Sequence, residues 1–240
     1  MPVSEPGRGK VAVITGGSRG IGLAMAAAFA EAAYNVIILG RDPARLEQAV
    51  QDLKRAPHVE GLPCDVTDAA SIAQAFRAIA GKHAAINVLV NNAGIAHALA
   101  PVEELPVDTW KQVIDTNLTG TFLVTRAALP MMPAGSTIVN NLSVAAVQPF
   151  AGMSAYNASK FGAMGFTQAL REDVRKKGIR VLALLPGATD TAIWQQFWPG
   201  APREKMISPD TVAQAVVHAV AAPPEAAIEE IRIGPAAGAL

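Results

Sequence analysis

The sequence predicts an α/β fold with a doubly wound, seven-stranded parallel sheet and helices on both faces. Short β-branched runs alternate with longer Ala- and Leu-rich segments of helical period along the 240 residues. Most of those runs are apolar at nearly every position, as strands are when both faces of a parallel sheet are covered. The first run passes through a glycine-rich turn directly into a helix. Such alternation implies right-handed crossovers between parallel strands.

The predicted strands are Val11–Thr15, Val36–Leu39, Val59–Cys64, Val88–Asn91, Thr137–Leu142, Arg180–Leu185 and Ile228–Ile233. The predicted helices between them are Ile21–Ala32, Pro43–Ala56, Ala69–Lys82, Val107–Met131, Ala155–Lys177 and Pro209–Ala221. Asp42-Pro43 and Ser208-Pro209 each offer a capping side chain followed by proline at the first helical position. Gly178 suits a helix end, with Lys176 and Lys177 placed against its dipole. No repeat or linker interrupts the chain, so one domain over 1–240 is expected. Pro186–Pro202, with Trp194, Phe197 and Trp198, reads as an irregular insertion.

Composition excludes several classes of function. The chain is 51% hydrophobic and 17% charged, with 20 basic and 20 acidic residues and no net charge. No basic block points to nucleic acid or to an anionic membrane surface. The longest apolar stretches fall well short of the ~18 residues of a membrane span. Met1–Lys10 is polar and lacks the apolar core of a secretion signal. One cysteine, Cys64, leaves no intramolecular disulfide and suits a reducing compartment. A cytoplasmic protein is expected, with Cys64 a buried small hydrophobe. A lone histidine such as His97, without ligating neighbours, gives no metal pattern.

After the first strand comes Thr15-Gly16-Gly17-Ser18-Arg19-Gly20-Ile21-Gly22. Glycines at 16, 20 and 22 permit a tight turn and a close backbone approach to a pyrophosphate, which meets free N–H groups at the helix start. A glycine triplet alone is often just a turn, but this one follows the first strand of a Rossmann-type pattern. Its spacing, Gly-x3-Gly-x-Gly, is similar to that of the short-chain dehydrogenase/reductase family. Further matches are Asp65-Val66, Asn91-Asn92-Ala93-Gly94, Asn117, Ser143, Tyr156-Asn157-Ala158-Ser159-Lys160, and Pro186-Gly187 followed by Thr191. The resemblance runs from about Lys10 to Ile233. It implies reversible hydride transfer between a nicotinamide dinucleotide and a small-molecule carbonyl or secondary alcohol.

The second strand ends at Gly40 and Arg41, where an NAD enzyme carries an acid for the ribose hydroxyls. Arg41 and Arg19 can instead grip an extra phosphate through charge-assisted hydrogen bonds. NADP(H) is therefore favoured over NAD(H), against the ordinary reading of both arginines as solvated surface charges. Asp42 stands near enough in sequence to reach the ribose itself. The resemblance implies that Asp65 and Val66 meet the adenine. Asp65 has a second reading as a helix-start residue before Thr67-Asp68. The resemblance also places Asn92, Ala93 and Gly94 along the ribose and pyrophosphate, with Ser18, Gly20 and Ile21 in the loop.

Tyr156 and Lys160 are four residues apart and share a helix face. A free phenol has a pKa near ~10, and an adjacent ammonium is expected to lower it. Ser143, at a predicted strand end, can hold the substrate oxygen beside the tyrosine. By resemblance, Lys160 also reaches the nicotinamide ribose, and Asn117 holds a water linking Lys160 to solvent. Each residue has an ordinary explanation alone; the ordered set is specific.

Pro186, Gly187, Thr189 and Thr191 resemble the family's loop under the nicotinamide, with the Thr189 backbone and the Thr191 hydroxyl holding the carboxamide. The stretch near 187–207 is the expected substrate lid, with Trp194, Phe197 and Trp198 lining it together with Phe150 and Met153. His97 is expected at the pocket mouth, and no Arg or Lys clearly lines the substrate end. The last strand, Glu229-Glu230-Ile231-Arg232-Ile233-Gly234-Pro235, lacks the family's Val-Asp-Gly-Gly ending. That puts a homotetramer in doubt and favours a homodimer through the long helices. Two other readings are a sugar-nucleotide epimerase, disfavoured because only about fifty residues follow Pro186, and a non-catalytic NADP-binding sensor or scaffold, disfavoured by the intact tetrad.

Overall fold

The computed structural model describes residues 7–53 and 58–238. Its strands are β1 (Val11–Thr15), β2 (Asn35–Gly40), β3 (Val59–Pro63), β4 (Val88–Asn91), β5 (Thr137–Asn141), β6 (Arg180–Pro186) and β7 (Glu230–Ile233). The helices are α1 (Gly20–Glu31), α2 (Pro43–Asp52), α3 (Ala69–Ala80), α4 (Val107–Ile114), α5 (Gly120–Ala128), α6 (Ser154–Arg175), α7 (Trp194–Phe197) and α8 (Pro209–Val220). The strands form one parallel sheet in the order β3-β2-β1-β4-β5-β6-β7. The doubly wound α/β architecture expected from the sequence is the one observed.

Alternation along each strand divides the core into two layers. Ala12, Ile14, Val36 and Ile38 face a cluster with Met25 and Phe29 of α1, Leu46 of α2 and Val216 of α8. Val11, Val13, Ile37 and Leu39 face the opposite cluster, with Phe76 of α3, Val124 of α5 and Leu170 of α6. Both sides of the central strands are therefore apolar, which explains their unbroken hydrophobic runs. Strand order reverses between β1 and β4, and a crevice opens at such a switch point beyond the strands' carboxyl ends.

The expected caps form. Asp42 accepts hydrogen bonds from the Ala44 and Arg45 amides at 3.0 and 3.3 Å, and Ser208 from Thr211 N at 3.1 Å. Gly178 follows α6 in the left-handed region, at φ +69°. The last residues expected in the second helix, 54–56, lie outside the described residues. Among the described residues no helix is long and apolar enough to cross a membrane.

The predicted helix Val107–Met131 is not continuous. It divides into α4, a π-helical turn at Asp115–Thr119, α5 and a 3₁₀ turn at Leu129–Met131. Asn117 holds the widened turn: its side chain exchanges two 2.9 Å hydrogen bonds with the backbone of Ile95, far away in sequence. The next turn is pressed against β3's exit loop, where a Cβ on Gly120 would stand 3.0 Å from the Val66 carbonyl oxygen. Local helical pattern cannot show an interruption imposed by such tertiary bonds.

Candidate active site

A cavity of about 730 Å³ occupies the switch-point crevice. Its nucleotide end is a backbone cradle. Gly16 has φ +63°, and a Cβ there would lie 3.0 Å from Ala93 Cα. A Cβ on Gly22 would fall 2.3 Å from the Gly16 carbonyl oxygen, so only glycine lets α1 start this close to β1. No side chain caps the N-terminus of α1, leaving its first amides available to an anion. Gly16, Ser18, Arg19, Gly20 and Ile21 line the cavity, whereas Gly22 lies behind it as a packing residue.

Partly buried amides and a buried hydroxyl lock this cradle. Thr15 Oγ1 accepts from Asn92 N and Ala93 N at 2.9 and 3.0 Å. Asn92 Nδ2 donates to the carbonyls of Thr15 and Gly16 at 2.9 and 3.1 Å, while Asn92 Oδ1 accepts from Asn141 Nδ2 at 2.8 Å. Asn92 thus borders the cavity and also holds the glycine turn to β4 and β5. Neither Thr15 nor Asn141 was among the residues expected from sequence. Ala93 and Gly94 complete the wall.

Beyond the end of β2, Arg19 and Arg41 both line the cavity and are exposed, and neither guanidinium has an ionic or hydrogen-bonding partner among the described residues. Asp42, which the sequence allowed at the ribose, lines the cavity with both of its oxygens engaged by α2. One of its oxygens caps α2 and the other pairs with Arg45 Nε at 3.1 Å. Arg45 lines the cavity too and is a third guanidinium at this end, carried on the first turn of α2 just after the end of β2. Asp65 and Val66, just beyond β3, line the cavity as well. Asp65 Oδ1 accepts from Thr67 N and Oγ1 at 2.9 and 2.8 Å, but the cap of α3 is Asp68. Cys64 is buried, and burial together with the nearby carboxylates pushes its thiol up to about 11.

Ser143, Tyr156 and Lys160 converge on the cavity from the end of β5 and the first turns of α6. Ser143 Oγ accepts from Ala145 N at 3.1 Å and acts on the Tyr156 hydroxyl closely enough to favour its ionised form. Burial raises the Tyr156 pKa above its ordinary value, and the Ser143 contact opposes that rise. Lys160 was expected to depress the phenol, and the direction found is the reverse. Lys160 is itself buried, donates to the Asn141 carbonyl at 3.0 Å, and is lowered by desolvation to about 8. Its Nζ stands 5.6 Å from the Tyr156 ring centroid.

Asn117 does not line the cavity. Both hydrogens of its amide are taken by protein: one by Ile95 O, the other by Ser159 Oγ at 3.0 Å, which in turn donates to the Tyr156 carbonyl at 2.7 Å. A Cβ on Gly94 would sit 3.3 Å from Asn117 Oδ1 and 3.8 Å from Lys160 Nζ, so this glycine leaves a gap between them. His97 is buried and not at the mouth as expected. Its Nδ1 lies 2.8 Å from the Ala98 carbonyl, and its Nε2 accepts the Tyr156 amide at 3.4 Å, a long bond at the start of α6. Asn157, quoted only as part of the motif, ties down the strap before it. Its Nδ2 donates to Ala145 O and Gln148 O at 2.9 Å, and its Oδ1 accepts from Phe150 N at 3.0 Å.

Pro186, Gly187, Thr189 and Thr191 line the far wall, followed by the expected lid residues Trp194, Phe197 and Trp198. Phe150 and Met153 line the same cavity. Trp194 Nε1 donates to Thr189 O at 2.8 Å, and its ring lies 4.8 Å from that of Phe197. Gln196 Oε1 accepts from Ala96 N at 2.9 Å, joining α7 to the loop after β4.

The cradle at the switch point and the polar face beside it define an oxidoreductase of the doubly wound, dinucleotide-binding class. A family model described as short chain dehydrogenase matches residues 10–201, and the chain belongs to that family. D-threitol dehydrogenase from Mycolicibacterium smegmatis is 36% identical over 222 residues, covering 87% of this chain and 85% of that protein. An alcohol dehydrogenase from Thermococcus sibiricus, solved with 5-hydroxy-NADP, superposes with a TM-score of 0.88 at 28% identity, over 95% and 97% of the two chains. A 3-ketoacyl-(acyl-carrier-protein) reductase from Brucella melitensis, complexed with NADH, gives 0.85 at 28% identity over 94% and 97%.

Proposed function

We propose that this protein catalyses reversible hydride transfer between NADP(H) and a carbonyl or secondary alcohol compound. The observation that carries the reading is the convergence of Ser143, Tyr156 and Lys160 on the cavity that the glycine cradle opens. The residues present fit a dinucleotide, since the cradle excludes side chains and the uncapped start of α1 offers amides to a pyrophosphate. When bound, the nicotinamide supplies hydride to a carbonyl carbon or takes it from an alcohol carbon. Arg19, Arg41 and Arg45, with Asp42 withdrawn into its cap, support a phosphorylated ribose over a plain one.

In reduction, Ser143 Oγ holds the substrate oxygen and Tyr156 donates its phenolic proton to it. A raised phenol pKa keeps Tyr156 in the donating form at neutral pH. Lys160 restores that proton, and its ammonium, lowered to about 8, exchanges readily near neutrality. We assign resupply to the gap above Gly94, bordered by Asn117 Oδ1 and Lys160 Nζ. We further read the chain as one cytoplasmic domain with the stretch near 187–207 as its lid. The exposed rings of Trp110, Phe122 and Phe161 on α4, α5 and α6 support a homodimer through those helices.

Absorbance at the nicotinamide band, followed over a panel of ketones and aldehydes with NADPH and with NADH, tests this reading. Tyr156→Phe should lower turnover at least about a thousandfold while still binding NADPH. Full turnover by that variant would overturn the catalytic assignment. NADPH binding without turnover of any carbonyl by the native chain would favour a sensor.

A further inference from the structure

One charged side chain lining the cavity has no part in the proposed reaction or in phosphate binding. Arg232 lies on β7 in register with Leu185 of β6, and register partners in a parallel pair face the same side of the sheet. Leu185 shares a buried cluster with Leu142, the residue before Ser143, and with Ala146, three residues after it. Arg232 therefore leaves the sheet on the Ser143 side, and it borders the same cavity as Ser143 and Tyr156. It has no ionic or hydrogen-bonding partner among the described residues. Glu230, two positions back on the same face of β7, makes no ion pair with it, Glu229 is held by Arg171, and Asp190 is held by Arg203. Among the described residues the only acids bordering the cavity are Asp42 and Asp65, both at the nucleotide end.

We infer that the substrate class is carbonyl compounds that also carry a carboxylate, with Arg232 pairing the carboxylate while Ser143 and Tyr156 hold the carbonyl. This inference rests on the carbonyl-reduction reading above. β5, which leads to Ser143, and β7 are two strands apart, roughly 10 Å between axes. The two functional groups are therefore separated by several bonds. Phe150, Met153 and Phe197 supply apolar contact for the carbon skeleton between them. An unpaired guanidinium offers its planar fork to a carboxylate in a way that no other side chain at this end can.

Calorimetry on the full chain, with saturating NADP+ to fill the phosphate-binding end, compares 4-oxo-4-phenylbutanoate with its methyl ester. The acid should bind about tenfold more tightly than the ester. Arg232→Gln should erase that preference, and Arg232→Lys should keep part of it. Equal affinities in the native chain, an acid preference that survives in Arg232→Gln, or no binding of the acid would each overturn the inference. NADPH-dependent turnover of neutral ketones, and its loss in Tyr156→Phe, is read separately, so failure of the carboxylate class is distinct from failure of the carbonyl chemistry.

Discussion

The two ends of the cavity are built from different materials. The nucleotide end is made of backbone, one buried hydroxyl and partly buried amides: Thr15, Asn92 and Asn141 bond the glycine turn to β4 and β5. The end proposed as the lid is made of large side chains on short, irregular segments. Trp198 is 43% exposed and Phe150 37% exposed. Among the described residues, only two side-chain hydrogen bonds, from Trp194 to Thr189 and from Ala96 to Gln196, fasten α7 to its surroundings. Rigid construction belongs where reacting atoms must be placed to a fraction of an ångström, and looser construction where different molecules are admitted. Tyr156 stands at the boundary, on the first turn of a helix whose strap is tied by Asn157.

A substitution that acts on the rigid end alone should have the largest effect. Gly22→Ala improves intrinsic helix propensity by about 1 kcal/mol. Against that, the new methyl would stand 2.3 Å from Gly16 O and 2.4 Å from Asn92 Nδ2. Relieving it moves backbone and breaks the Asn92 lock, a loss of about 4 kcal/mol from strain and orphaned hydrogen bonds together. Urea denaturation should show this fall, and NADPH binding should be lost in whatever fraction remains folded. A Gly22→Ala variant as stable as the native chain, with intact affinity, would mean that the cradle is as adaptable as the lid.

The same contrast explains what was legible beforehand. Gly16, Gly20 and Gly22 advertise a backbone demand, and Tyr156 and Lys160 advertise a helix face, because both signals are local. The π turn at Asp115–Thr119 left no trace, since the bonds that hold it run from Asn117 to Ile95. His97 looked like a residue of the mouth because sequence cannot show that its ring reaches the start of α6. Arg232 required the register of β6 and β7 to place it on the Ser143 side. The direction of the Tyr156 shift also escaped, because proximity to Lys160 is visible in spacing whereas burial is not.

Lys160 allows a test of intermediate size. Its pKa is about 8 in the fold against 10.5 in the unfolded chain, so between these values the unfolded state binds more protons and stability rises with pH. The rise should reach about 2 kcal/mol from pH 8 to pH 10. Above pH 10 the raised Tyr156 phenol acts in the opposite sense, because the unfolded tyrosine loses its proton first. Chemical denaturation of the native chain and of Lys160→Met, without added cofactor, should give curves that diverge by that amount over this window. Parallel curves would show that Lys160 is not desolvated, and would remove the claim that the rigid end encloses it.

The smallest effect is expected at the lid. Trp194→Phe removes the indole N–H that bonds Thr189 O but keeps a ring against Phe197. One lost hydrogen bond at a partly exposed site corresponds to about 1 kcal/mol. KM should rise by no more than about fivefold, with kcat nearly unchanged, because the ring still covers the substrate while the reacting groups stay where β5 and α6 hold them. A hundredfold fall in kcat with KM unchanged would reverse the comparison. Thr189 would then be placed by Trp194 and not by β6, and the far wall of the cavity would belong to the rigid end.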